Sequence, residues 1–297
     1  MERTFPKLGV GLPYFAALPA DIYASGLIDF VEMTPETICR QRATGDRVAI
    51  EIERSQMDQA QRACAGLPLV VHGVELSIGS APGWNAAYIE MLEAFQRHWP
   101  FIWHSEHLSF QTIAGTNGAT LEVGVPLPLP RTKESVELVA GRSAEILQRF
   151  GVPFLLENPA HYLPGLPSDP EIGDDFGLMN AIVGRSGCFQ LLDLHNIHCN
   201  AINHGFDPFP AVDRVLFSSV GEIHVAGGSW SDGFWMDAHD GRTPERVWEL
   251  LEYVLPRCQN VGGVVFEMLE DHAVRLGPEV IHGELERAAQ IWRRCRG

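Results

Sequence analysis

The 297-residue chain has no CxxC pair, and its six cysteines (Cys39, Cys64, Cys188, Cys199, Cys258 and Cys295) are scattered. Thiolate metal sites draw on closely spaced pairs, so zinc ribbons and similar folds are disfavoured and reduced, mostly buried thiols are expected. No apolar run approaches the roughly 18 residues that a membrane span needs. The opening stretch "MERTFPKLGVGLPYF" has no apolar segment of signal-peptide length, so a cytoplasmic protein without a membrane partner is expected. Positive charge is scarce too. Lys and Arg number 22 against 38 Asp and Glu, for a net charge of −16, with no basic stripe. Proteins that grip a phosphodiester backbone neutralise it with Lys and Arg, so nucleic acid is not expected as a partner. No repeat, low-complexity segment or linker divides the chain. Residues 1–297 are expected to form a single domain, a length that barrel folds commonly reach.

What the chain does have is a series of short apolar or β-branched runs bounded by Gly, Pro or polar residues. They are "KLGVGL" (7–12), "LIDFVEM" (27–33), "LPLVVHG" (67–73), "PFIWHSEH" (100–107), "VPFLLEN" (152–158), "CFQLLDL" (188–194), "VGEIHVAG" (220–227) and "GGVVFEML" (262–269). Between most of them apolar residues recur three and four apart, the spacing of a helix with one buried face. "NAAYIEMLEAFQRH", "KESVELVAGRSAEILQRFG", "TPERVWELLEYVL" and "PEVIHGELERAAQIWRRC" are the clearest. In the third, Thr243 is expected as N-cap with Pro244 at the first helical position. The Pro- and Gly-rich stretch 161–175 reads as a long loop after the fifth strand. Eight buried strands alternating with helices predict a (β/α)8 TIM barrel in the α/β class.

The polar residues fall in one place on this pattern. His72 ends the third run, His107 the fourth, Glu157 the fifth, Asp193 the sixth, His224 the seventh and Glu267 the eighth. In a (β/α)8 barrel the carboxyl ends of the strands converge on one face, which carries the active site. Six strands would thus aim three imidazoles and three carboxylates into one cup. Carboxylates crowded together repel unless cations neutralise them, and a set of imidazole and carboxylate suits zinc, manganese or iron. Asp237 and His239 follow the seventh strand, and Asn196 lies three residues beyond Asp193, enough for a further metal. A single strand-end histidine is more often a hydrogen-bonded rim residue than a ligand. It is the recurrence on six strands that points to a multinuclear site.

The segments "HGVELSIGS" (72–80), "SEHL" (105–108), "PLPLPRTKES" (126–135), "LLENPAHYL" (155–163), "LLDLHN" (191–196), "NHGFD" (203–207), "EIHVAGG" (222–228) and "DAHD" (237–240) occur in order. Together they resemble the multinuclear non-heme iron-dependent oxidative enzymes (MNIO), which modify ribosomally made peptides on xylose isomerase-like TIM barrels. The resemblance implies two or three iron ions in mixed Fe2+/Fe3+ states. One would be held by His72, His107, Glu157 and Glu267, and a second by Glu157, Asp193, His224 and Glu267. A third would take Asn196, Asp237 and His239. Glu157, Asp193 and Glu267 would lie closest to the chemistry. The substrate implied is a cysteine of a precursor peptide, delivered by a small peptide-recognition protein and oxidised with O2 to a heterocycle and thioamide, a rearranged product or a product lacking the β-carbon.

The chain departs from that pattern in several places. Thr34, Thr37 and Ile38 stand where a His and an Asn-Tyr pair are expected, His195 replaces an Asn, Gly228 replaces a His, and His104 is an additional imidazole. His195, His198 and His204 are open between a direct role, a supporting role and the surface. Cys188 and Cys199 read as structural. Trp230 and Trp235 flank a Gly-containing loop suited either to a lid or to an exposed interface. Two other enzyme classes share such ligand sets: phosphodiester hydrolases of the endonuclease IV type and sugar isomerases or epimerases. The acidic balance counts against the first, and the second lacks an evident acid–base dyad. A non-catalytic scaffold would be expected to have lost ligands.

Overall fold

The computed structural model describes residues 5–44, 47–116 and 120–296. Eight parallel strands close into a barrel: β1 (Gly9–Pro13), β2 (Phe30–Met33), β3 (Leu69–Gly73), β4 (His104–His107), β5 (Phe154–Glu157), β6 (Phe189–Asp193), β7 (Val220–Ala226) and β8 (Gly263–Glu267). Each pairs with its sequence neighbours, and β8 closes on β1 through Gly9↔Gly263 and Val10↔Val264. Seven lie within the runs identified in the sequence, and β1 extends one residue beyond its run, to Pro13. The outer layer includes α1 (Arg54–Ala63), α2 (Ala86–His98), α3 (Lys133–Phe150), α4 (Asp175–Ser186), α5 (Leu194–His204), α6 (Glu245–Val254) and α7 (Pro278–Arg296).

Side chains alternate between the two faces of a strand, and that alternation builds the interior in layers. Phe30, Val70, Trp103, Leu155, Leu191 and Val265 pack on one another as a cluster separate from the main core. Side chains drawn from strands around a closed barrel meet only inside it. Two residues further along the same strands stand Glu32, His72, Glu157, Asp193 and Glu267, on the same inward face and nearer the carboxyl ends. An apolar plug thus forms the floor, and the polar cup rests on it. Room for the plug comes from Gly11 and Gly263, where an added Cβ would lie 2.4 and 2.5 Å from the Phe30 ring. The opposite strand faces join the helices in the larger core cluster.

Helix ends follow their local chemistry. Asn85 and Thr132 cap α2 and α3 through their side chains, and α3 ends on Gly151 at φ 72°. The cap expected for α6 is displaced by one residue. Pro244 is the N-cap, Glu245 is the first helical residue, and Thr243 makes no capping bond. The Thr243 N–H instead donates to Glu284 Oε2 of α7 at 3.0 Å, a tertiary bond that outcompetes the local motif. Three two-stranded hairpins complete the structure: Cys39–Thr44 with Arg47–Ile52, Ser109–Ala114 with Thr120–Pro128, and Ser229–Ser231 with Phe234–Met236. Each follows the carboxyl end of a barrel strand (β2, β4 and β7) and so rises from the face that carries the cup. Residues 158–174 contain no helix or strand beyond one isolated bridge, Arg131↔Ser168, in agreement with the long loop read from the sequence.

Candidate metal centre

His72, His107 and Glu157 form the first group. Glu157 Oε2 lies 3.3 Å from His72 Nε2 and 3.2 Å from His107 Nε2, and the two nitrogens are 3.1 Å apart. Strand register makes this possible, since His107 is the direct cross-strand partner of Glu157 and His72 that of Ser105. Asp193, His224 and Glu267 form the second group, in which a donor atom of each lies within 4.8 Å of the others. Here Asp193 pairs across the strands with His224, and His224 Nδ1 lies 2.9 Å from Glu267 Oε2. Glu267 turns its other oxygen toward His239 Nδ1 at 3.6 Å, and His239 Nε2 lies 2.8 Å from Asp237 Oδ1. The close contacts of Glu267 are therefore with His224 and His239, rather than with the His72 group to which the resemblance also assigned it. Asn196 sits against Glu157, its Nδ2 donating to Oε1 at 2.7 Å.

In several of these side chains one atom is held by the protein and another is left over. Ser105 Oγ donates to Val71 O, so it accepts from His72 Nδ1 at 3.0 Å, and the Nε2 lone pair is directed at Glu157 and His107. His224 Nε2 faces Glu32 Oε2 at 3.1 Å. Asp193 Oδ1 caps α5 by accepting from Asn196 N–H at 2.5 Å. The second atoms, Glu157 Oε2, Asp193 Oδ2 and Asn196 Oδ1, are buried and take part in no hydrogen bond among the described residues. Leaving such atoms unpaired costs several kcal/mol in total. Metal–ligand bonds of about 2.0–2.2 Å to imidazole and carboxylate would satisfy them, and the donor set fits such an ion.

The electrostatics agree with a site built for cations. Burial pushes the Asp193 carboxyl well above its ordinary range, and Glu157, Asp237 and Glu267 push it further. Burial also acts to raise Glu267, but the His239 and His224 imidazoles outweigh it and hold the carboxyl low. Burial lowers His72, and the neighbouring His107 lowers it again, keeping the imidazole neutral as a ligand must be. His107 itself is pushed up to about 9, because Glu157 overcomes the burial penalty.

Two residues of this environment were not evident in the sequence. Glu32 sits in β2 with an inward side chain at the back of His224, and Glu222 reaches Trp103 Nε1 at 2.8 Å below it. Neither ends its apolar run, and only strict period-two reading from Phe30 and from His224 would have exposed them. Thr34 leads into a 3-10 turn, Pro35–Ile38, that carries the first hairpin. His104 faces the helix layer, paired with Glu106 at 2.9 Å and packed on Phe150 and Phe154. An added Cβ at Gly228 would lie 2.8 Å from the His195 ring, so His195 fills the space that a side chain there would need. His204 stacks on His161 away from the cup, and His198 lies beside Trp235. Cys188 is buried behind α4, while Cys199 is buried with its Sγ 3.7 Å from both His195 ring nitrogens.

Residues 8–293 match the family described as RiPP precursor modification enzyme MbnB/TglH/ChrH. The chain belongs to that family. Its members modify ribosomally synthesised precursor peptides, in keeping with the motifs quoted above. Among its relatives, a UPF0276 protein of Caulobacter vibrioides is 34% identical over 201 residues, covering 67% of this chain and 68% of its own. The UPF0276 protein Anae109_1558 of Anaeromyxobacter sp. is 30% identical over 265 residues, covering 89% of this chain and 85% of its own. Among solved structures, D-psicose 3-epimerase superposes with a TM-score of 0.54 at 12% identity, over 96% of this chain and 98% of its own. A putative xylose isomerase from Rhodospirillum rubrum gives 0.53 at 13% identity, over 98% and 100%. These two share the fold, a xylose isomerase-like (β/α)8 barrel. No helix among the described residues is long and apolar enough to cross a membrane.

Proposed function

We propose that the chain is a single-domain, multinuclear iron oxidase that uses O2 to modify a cysteine of a precursor peptide. The observation that carries this reading is the Glu157 Oε2 atom, buried without a hydrogen bond and aimed between two imidazole nitrogens at 3.2–3.3 Å. His72, His107 and Glu157 would hold one ion, Asp193, His224 and Glu267 a second, and Asp237 and His239, with Asn196 Oδ1 nearby, a third. Iron bound there would supply redox chemistry with O2 and a seat for a thiolate, which zinc would not supply in full.

The protein's own part is to bind, orient and exclude. Ser105 and Glu32 fix the ring orientation of His72 and His224 from behind. Asn196 orients Glu157, and the α5 N-terminus orients Asp193. The cup is floored by the apolar plug, so a substrate residue enters only from the hairpin face. Tyr162 ties the loop after β5 to the site by accepting from the Asp237 N–H at 2.9 Å. Along the same loop runs a cleft of about 600 Å³ with Leu163, Phe176, Phe206 and Pro210 in its wall, suited to an extended peptide segment. Delivery of that peptide by a small recognition protein would place a single side chain, rather than a folded domain, in the cup.

The test uses short cysteine-containing peptides, drawn from open reading frames that flank the gene, incubated with ferrous protein in air and read by mass spectrometry. A mass change at cysteine that is absent with a Cys→Ser peptide, absent without O2 and absent with Glu267→Gln is expected. An untouched peptide, with turnover of a sugar or a phosphodiester instead, would overturn the assignment.

A further inference from the structure

The third hairpin connects to Asp237 by a chain of hydrogen bonds. Asn203 of α5 grips the Trp235 backbone at both ends, its Nδ2 donating to Trp235 O and the Trp235 N–H donating to its Oδ1, each at 2.9 Å. Held this way, the indole Nε1–H donates to His195 Nε2 at 3.2 Å. The other ring nitrogen, Nδ1, lies 2.8 Å from Asp237 Oδ1. An indole N–H can only donate, so Nε2 must accept, and the proton of the neutral ring sits on Nδ1 where Asp237 receives it. His195 is fully buried, with Cys199 Sγ against its ring and Gly228 beside it.

We propose that His195 is a positioning residue rather than a ligand: Trp235 selects its Nδ1–H tautomer, and that N–H aims Asp237 at the outer metal position shared with His239. The proposal rests on the metal-site reading above and deepens it. Neither ring nitrogen is free for an ion, because Nε2 is occupied by the indole and Nδ1 by its own proton. The buried trio His195, Cys199 and Asp237, whose donor atoms lie within 4.8 Å of one another, is then a hydrogen-bonded support and not a further cation site. It also links the hairpin to the metal centre. Any movement that withdraws Trp235 releases the His195 tautomer and loosens Asp237, so the entry and the outer metal report on each other.

Two measurements on the full chain test this. The first is long-range proton–nitrogen NMR of the zinc-loaded protein with labelled histidine rings. The Nδ1–H tautomer is expected at His195, with Trp235→Phe giving a mixture; an Nε2–H ring or a zinc-shifted nitrogen at His195 in the unaltered protein overturns the proposal. The second is metal titration of variants with iron. His195→Ala should weaken the outer ion about 10–100-fold and spare the inner pair. His195→Asn, whose amide N–H takes the place of Nδ1–H, should restore the outer ion. Equal loss in both variants means that the ring is itself a ligand, and loss of all ions together means that it merely supports the fold; either overturns the proposal. If the unaltered protein binds only an inner pair, the coupling and the outer-site reading fall together, while the reading of the pair stands.

Discussion

Glu157 divides its two oxygens between protein and site: Oε1 accepts from Asn196, and Oε2 is left for an ion. Glu157→Gln is therefore expected to remove the ion at His72 and His107, whereas Asp237→Asn should remove only the outer ion; elemental analysis with Mössbauer spectroscopy of anaerobically prepared protein compares them. Loss of the same ion in both variants would mean that the grouping into an inner pair and an outer ion is wrong. Glu32→Gln tests the layer behind the ligands. Because Glu32 Oε2 faces His224 Nε2 at 3.1 Å, its loss should weaken the ion at Asp193, His224 and Glu267 about 10–100-fold, read by competition with a chelator. The candidate ligands were legible in the sequence because titratable side chains at the ends of apolar runs are costly and therefore conspicuous. Ser105 and Glu32 were not. A serine carries no such cost, and Glu32 lies inside its run, which ends on Met33 rather than on a titratable residue. The role of His195 was open for a different reason: its partners, Trp235 and Asp237, are 40 and 42 residues away.

Elements were easier to read than their ends. Every barrel strand and the four clearest helices could be read from periodicity, which reflects burial and is local. The start of α6 could not, because the Thr243 N–H is claimed by Glu284 from a helix that lies far along the chain. The hairpins were hidden as well, since exposed side chains such as Ile113, Leu121 and Val125 carry no burial pattern. At the end of β3 the packing is tight enough for a direct test. A Cβ on Gly73 would fall 2.0 Å from both Glu106 Oε1 and the Tyr88 hydroxyl. Gly73→Ala should lower unfolding free energy by about 1–3 kcal/mol, the usual cost of overpacking, in urea denaturation of metal-free protein. Since His72 is the preceding residue, the same variant should also weaken the His72–His107–Glu157 ion. Stability and metal affinity both unchanged would show that the strand end relaxes freely.

For the molecule as a whole, the carboxyl of Glu36 sets a pH dependence separate from the metal groups. Burial pushes it from 4.5 up to about 8, and the nearby Glu106 adds to this against the Val74 and Glu75 N–H bonds. Between those values the folded chain keeps a proton that the unfolded chain has lost. Its contribution is thus fully present below about 4.5 and is lost as pH rises through about 8. Glu36→Gln should flatten the fall in denaturation midpoint across that interval; an unchanged slope would place the titration elsewhere. The hairpins carry a wider consequence. Each is spliced between a barrel strand and the helix that follows it, so its exchange leaves the floor, the strand register and most of the candidate ligands in place. The first two are exchangeable parts in this sense, able to diversify what enters while the chemistry below is inherited unchanged. The third is not, because Trp235 is tied through His195 to Asp237, so a change there would also disturb the proposed outer metal position.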